Sequence, residues 1–389
     1  MRTLTAPDGR LAVDRPSARG RWIWTVSGLV TVAALSVPVA LLITRGANNG
    51  NGQVVSAVPT RTVTVAATVT SLSVVSYGSP IQVTTGPVRQ VTVRESINYT
   101  PGDSAPPAVT DQVSNGRLTL AAPACPTAGC SVGFTVTVPS SVAVTADSDG
   151  GAITVANAAG ASLNSGGGSV QASNINGPLT ISADGGGITV SHVTSPIGTN
   201  LDSGGGPVDA SQIDGPLTVS GEGGSITAAD VSSPTGTNLD SGGGPITATG
   251  INGPLSVTGE GGSITVNGLT GDLQADTGGG PFFGQAVAAG KASVDTDGGS
   301  AGLTLSTAPA YVFVGTGGGP ATLTFGGAPT TVTVNTDGGS ATLNVPGGPY
   351  SVTVDSDGGS QTVDVLTAPG AHRSLTVSSG GGPLDIAPR

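Results

Sequence analysis

The sequence predicts an all-β protein: a β-solenoid, in which short strands stack around glycine-rich corners, after one N-terminal transmembrane helix. Three observations predict it. Gly-Gly pairs recur at positions 150, 167, 185, 205, 223, 243, 261, 279, 298, 318, 338, 358 and 381, at intervals of 17 to 23 residues, and self-similarity at such a period marks a stacked repeat. Between the glycines, apolar and small polar residues alternate, as in Leu217, Thr218 and Val219, which is the pattern of a strand with one buried face. After Thr44 no stretch keeps a helical period, and the abundance of valine and threonine favours strands.

The first element is the membrane segment. Trp22 to Thr44 holds no charged residue over 23 positions, enough to cross a bilayer core as a helix rising about 1.5 Å per residue. Arg2, Arg10, Arg15, Arg19 and Arg21 precede it, and only Arg45 and Arg61 follow closely. The positive-inside rule therefore makes residues 1–21 a cytoplasmic tail and exports everything after Thr44. A cleaved signal peptide is the competing reading; the apolar stretch is long for one, and Pro38 sits where a cleavage site at Ala40 wants a small residue. The expected location is the cell membrane, single-pass, with the C-terminal domain outside.

Residues 45–60, with Ala47 to Gln53 reading ANNGNGQ, form a flexible linker. Residues 61–145 carry strand-like alternation in RTVTV (Arg61 to Val65), RQVTV (Arg89 to Val93) and FTVTVP (Phe134 to Pro139), but no glycine corners. They are expected to be the atypical leading coils and cap that stacks need. Cys125 and Cys130, the only two cysteines, lie here in CPTAGC. Outside the cell a disulfide closing this loop is expected. A zinc site is the alternative, yet two thiolates without a nearby His fall short of four ligands.

Residues 146–389 are the glycine-cornered repeats. Acidic corners such as GEGGSIT (Gly221 to Thr227) alternate with Gly-Pro corners such as SGGGPIT (Ser241 to Thr247), so the larger unit is 38 residues. The copies IDGPLTVSGEGGSIT from Ile213 and INGPLSVTGEGGSIT from Ile251 differ only by conservative changes. Strands this short cannot form a stable sheet alone. Stacked about 4.8 Å apart, each coil pairs its backbone with the coils on either side. Glycine is expected at the corners because it reaches positive φ without a Cβ clash and lets stacked backbones approach. Asp149, Asp184, Asp202 and Asp240 are expected to hydrogen-bond the turn backbone.

The anchor, the leading strands, the Cys loop before VGFTVTVPSSVAVTADSDGGAITV (Val132 to Val155) and the glycine-cornered repeats together resemble the bacterial putative-adhesin family of β-strand repeats, a domain of unknown function common as a membrane-anchored type in actinobacteria. The resemblance covers residues 60 to 389 and implies a β-solenoid at the cell surface. It implies no established activity and no site residue.

Charge narrows the partners. Formal net charge is -11, and between Arg117 and Arg373 Lys291 is the only basic residue among 18 acids. Nucleic-acid phosphates would be repelled, so nucleic acid is not an expected partner. Ser300 in GGSAG fits the GxSxG pattern, but a strand-like LTL follows where that motif needs a helix, and only His192 and His372 could serve as bases. It reads as a corner serine. DSDGG (Asp147 and Asp355) and DTDGG (Asp295) place paired carboxylates two residues apart, as fragments of calcium loops do. Ser306 and Leu366 stand where an EF-hand needs its bidentate Glu. Turn acids are the plainer reading.

Outward threonines could form an ice-binding face, but most strands offer one threonine where that face wants two. Catalytic residues, cofactors and metals are therefore not expected. The expected function is structural or adhesive, with cell-wall glycan or a surface protein as partner and the membrane held through Trp22 to Thr44. The alternative is a β-helical carbohydrate-active enzyme, whose pair of carboxylates would be sought at Asp276 or Asp297.

Overall fold

A computed structural model describes residues 56–57, 60–99, 108–124 and 130–389. The expected cytoplasmic tail, the transmembrane segment Trp22 to Thr44 and Cys125 lie outside them. Cys130, on the approach to strand Ser131–Pro139, is not a free thiol. Among the described residues no helix is long and apolar enough to cross a membrane.

The described chain is a two-sided β-solenoid. Each coil lays one strand in a first sheet and one in a second, and successive coils pair in parallel. In the first sheet Val170–Asn176, Ile188–Thr194, Val208–Asp214, Ile226–Ser232 and Ile246–Asn252 follow in register. In the second, Leu179–Ala183, Thr199–Ser203, Leu217–Gly221, Thr237–Ser241 and Leu255–Gly259 do the same. Side chains of the two sheets meet along the axis: Val208, Ala210 and Ile213 face inward with Leu217 and Val219, none more than 2% exposed. Burying a valine, leucine or isoleucine stabilises by about 1.5–3 kcal/mol. Registered columns of inward residues repeat this in layer after layer, so the stack supplies the core that a single coil lacks.

Of the two reasons expected for the corner glycines, close approach of stacked backbones governs the third glycine. At the third glycine of the corner no positive φ occurs in Gly206, Gly224 or Gly244. A Cβ on Gly244 would lie 2.0 Å from the carbonyl oxygen of Gly224, and one on Gly224 would lie 2.1 Å from that of Gly206. Close approach between layers therefore excludes every side chain here. Positive φ, the other expected reason, occurs at the second glycine of this corner in later coils such as Gly298 (138°) and Gly318 (132°), and at glycines of the opposite corner such as Gly198 (130°) and Gly215 (126°).

The aspartates are also reassigned. Asp202 and Asp240 point to solvent, while the next residue turns inward and holds the corner. Buried Ser241 Oγ donates to the Gly244 carbonyl and accepts its N–H, both at 3.0 Å. Ser203, Thr296 and Thr336 donate to Gly206, Gly299 and Gly339 in the same way at 2.8, 2.7 and 2.6 Å. A hydroxyl suits this place because it satisfies a buried carbonyl without carrying charge into the core.

At the opposite corner Ser195-Pro-Ile-Gly198 alternates with the tighter Asp214-Gly-Pro216. Ser195 Oγ donates to the Gly198 carbonyl at 2.8 Å, and a Cβ on Gly215 would lie 2.0 Å from the Ser195 carbonyl oxygen. The longer and shorter corners make coils of 20 and 18 residues, from Ile188 to Val208 and from Val208 to Ile226. Their sum is the 38-residue unit.

Both ends depart from simple winding. Strands Ser71–Ser76 and Ile81–Gly86 form a layer lying between the layer of Arg117–Ala121 with Ser131–Pro139 and that of Ala143–Ser148 with Ile153–Ala156. Val91–Tyr99 then pairs antiparallel with Ser131–Pro139, and Arg61–Val65 with Val91–Tyr99. Ser56–Ala57, inside the expected linker, also pairs with Val91–Tyr99. At the far end Ser374–Ser378 and Leu384–Pro388 insert between the layer of Thr331–Asn335 with Ala341–Val345 and the outermost layer of Ser351–Asp355 with Gln361–Val363. The second sheet thus holds fifteen stacked layers plus one antiparallel strand, Thr110–Ser114, a length of about 70 Å at ~4.8 Å per layer.

Candidate functional site: a polar groove along the stack

Strict alternation fails at one place in each early first-sheet strand. Val170 and Ala172 face the core, then Ser173 and Asn174 both stay outside before Ile175 turns in. The cause is a left-handed residue at Asn174, with φ 53°. Registered pairing puts His192 (φ 55°), Gln212 (φ 55°) and Asp230 (φ 54°) at the same position of the next three layers. All four side chains are exposed. The bend folds each strand into a shallow V, and the stacked bends make a groove.

Across it, two residues further on, stands a second column of Asn176, Thr194, Asp214 and Ser232. Ile175, Val193 and Ile213 lie between the columns with their side chains in the core. The cleft measures about 490 Å³. Spanning four layers, the ladder from Asn174 to Asp230 runs about 14 Å at the interlayer spacing. Its lining is amide, imidazole, hydroxyl and carboxylate, without lysine or arginine.

The column continues with Gly250, Gly268 and Ala286, at φ 65°, 70° and 53°. In later coils first-sheet strands such as Ala301–Leu305 and Ala321–Phe325 have five residues and keep alternation throughout. The groove therefore belongs to the front of the stack. Sequence reading passed over these residues apart from His192, weighed only as a base for Ser300, although the two-then-three spacing of inward residues (Val170, Ala172, Ile175; Ile188, Val190, Val193; Val208, Ala210, Ile213) signals an extra outward residue in each coil.

The other residues singled out from the sequence fall elsewhere. Ser300 is a corner residue whose carbonyl accepts the Phe282 N–H at 2.8 Å. His192 lies six layers from it along the first sheet, about 29 Å, so the two form no catalytic pair. His372 lies in the corner before Ser374–Ser378.

Asp276 and Asp295 are registered neighbours on the outer face of the second sheet. Burial first, then the charges of Asp295 and Asp297, push the Asp276 carboxyl above the ordinary range. Elsewhere this column alternates, as in Asp202, Ser220, Asp240 and Thr258, which keeps like charges from facing each other. At the paired acids of the corners, the Asp357 N–H reaches Asp355 Oδ1 at 3.4 Å. Among the described residues no group of three or more His, Cys, Asp or Glu is arranged to hold a metal ion.

No protein-family model matches the chain, and no curated protein matches it. Among solved structures there are three distant likenesses. A putative cell adhesion protein from Clostridium sporogenes is 8% identical, with a TM-score of 0.20, over 85% of this chain and 100% of that one. A putative adhesin from Bacteroides fragilis is 10% identical, with a TM-score of 0.24, over 85% and 96%. One from Parabacteroides merdae is 9% identical, with a TM-score of 0.23, over 84% and 95%. The matches are to bacterial putative adhesins. Nothing about a ligand follows from likeness this distant.

Proposed function

We propose that this is a single-pass membrane protein whose exported β-solenoid has a structural or adhesive role, without catalysis, meeting cell-wall glycan or another surface protein. The observation that carries the reading is the repetition of small polar groups on a long outer face. Ser162, Thr180, Asn200, Thr218, Asn238 and Ser256 stand in one column of the second sheet, one per layer. A regular ladder of uncharged donors and acceptors suits many weak contacts, whose combined strength grows with the number engaged. Acidity of the exported part disfavours nucleic acid and anionic lipid surfaces as partners. The anchoring part of the reading rests on the sequence from Trp22 to Thr44.

Deleting residues 208–245 tests it. The cut joins Pro207 to Ile246, recreating the Pro245–Ile246 corner and removing two whole layers. Attachment of cells displaying the shortened chain should fall by a step, and a second such deletion should lower it again. Attachment independent of layer number would contradict an adhesive rod.

A further inference from the structure

We propose that the groove lined by Asn174, His192, Gln212 and Asp230 binds a neutral glycan chain lying parallel to the stacking direction. This deepens the adhesive reading above and rests on it. The first argument is conformational. A left-handed backbone opposes any residue that carries a Cβ; asparagine, aspartate and histidine are the side-chain-bearing residues found there most often, and glutamine has no such preference. Two layers further on the same position is Gly250 and then Gly268, so glycine makes this bend without conflict. Ala286 holds the same bend without a polar group, so the conformation alone assigns no role; it is the carboxamide at 212, against the preference of the backbone and beside His192, that points to what the column presents to solvent.

The second argument is chemical. Amides offer a donor and an acceptor side by side, and the carboxylates of Asp214 and Asp230 accept only. Such a set matches hydroxyl groups, each both donor and acceptor. With two carboxylates and no lysine or arginine in the lining, an anionic chain is repelled.

The third argument is shape. The cleft of about 490 Å³ falls within the size of known ligand sites, but it is an open trough repeating with each layer, which suits a polymer with its own repeat. Peptides bind by extending a free sheet edge or by filling apolar pockets. Here the strands at the groove are paired on both sides and the apolar side chains point into the core.

The test uses the full chain in a detergent that carries no sugar, titrated calorimetrically with cellohexaose, maltohexaose and chitohexaose as neutral probes and hexagalacturonate as the anionic one. At least one neutral hexamer should bind, and hexagalacturonate at least tenfold more weakly. The double variant His192→Gly/Gln212→Gly should bind that hexamer at least tenfold more weakly while its thermal midpoint stays level or rises. Silence from all three neutral hexamers overturns the proposal, as does undiminished binding by the variant or preference for hexagalacturonate. Cell attachment separates the two readings. Wild-type attachment by the double variant, together with the stepwise loss on deleting layers, removes the groove and leaves the adhesive rod; hexamer binding with attachment indifferent to layer number does the reverse.

Discussion

Coils at the front of the stack, from Ile153 to Asn252, and coils behind them, from Lys291 to Val345, are nearly equal in length but distribute their residues differently. In front, the first-sheet strand has seven residues in most coils and bends at a left-handed residue, and the corner that follows is short. Behind, the strand has five residues and runs straight into a longer corner such as Ser306 to Ala310. Front coils fasten their glycine corner in alternate layers, with Ser165, Ser203 and Ser241, where rear coils fasten each one, with Thr296, Thr316 and Thr336. One stacking principle thus supports two coil shapes, and only the bent one gathers polar side chains into a groove.

The sharpest way to break what both regions share is at the third glycine. Gly244→Ala in front and Gly319→Ala behind would put a methyl group 2.0 and 2.1 Å from a carbonyl oxygen of the neighbouring layer. Each should lose more than ~4 kcal/mol in denaturant unfolding, because backbone on both sides leaves no room to relax.

The second glycine separates the regions. An added Cβ meets nothing within 4 Å at either Gly243 or Gly318, but only Gly318 has a positive φ, at 132°. Alanine should cost about 1–2 kcal/mol at 318 and less than about 0.5 kcal/mol at 243. Equal losses at the two positions would mean that φ does not distinguish the front corner from the rear one.

A gain is expected at Thr237. One inward column reads Leu217, Thr237, Leu255 in front and Ala292, Val312, Val332 behind. Thr237 Oγ1 is buried without a hydrogen-bond partner, so Thr237→Val should raise stability by roughly 1 kcal/mol through removal of an unpaired hydroxyl. A thermal midpoint that falls would show that the hydroxyl is satisfied in solution.

The smallest effect contrasts the end cap with the coils. Glu95, in the antiparallel strand Val91–Tyr99, is 1% exposed with neither carboxylate oxygen hydrogen-bonded, and Arg61 Nη1 is 3.7 Å away. Burial raises its carboxyl above the ordinary range, and Arg61 offsets this in part. The fold therefore favours the protonated form. That contribution is complete below the unfolded carboxyl's pKa of 4.5 and is lost as pH rises through the higher folded value. Glu95→Gln should match the parent in unfolding experiments near pH 4 and exceed it at pH 8. A constant gap across that range would refute the assignment.

Much of the fold was legible because the glycine period is also the layer period: Leu217, Val219, Ile226, Ala228, Leu255, Val257, Ile264 and Val266 all point inward as alternation predicts. Both reasons for the glycines, positive φ and close approach, were legible too, but not which glycine answers to which, since a list of residues does not show that the third glycine of the corner faces the next layer's carbonyl. Asp202 and Ser203 can both cap a turn, and only burial shows that Ser203 is the corner's fastener. The groove escaped because an alternation that breaks after Ala172, Val190 or Ala210 looks like the end of a strand. The layer exchanges at the two ends were hidden for another reason: stacked coils present similar edges, so their order cannot be read from composition.

The exchange at the far end bears on how the chain is completed. Strands Thr331–Asn335 and Ser351–Asp355 both need Ser374–Ser378 between them. A polypeptide emerging from its amino end therefore leaves the place between these strands unfilled until Ser374–Ser378 arrives, and that insertion locks the outermost turn in place. A copy truncated before Ser374 would leave two unmatched edges facing each other, open to proteolysis or to capture by another chain.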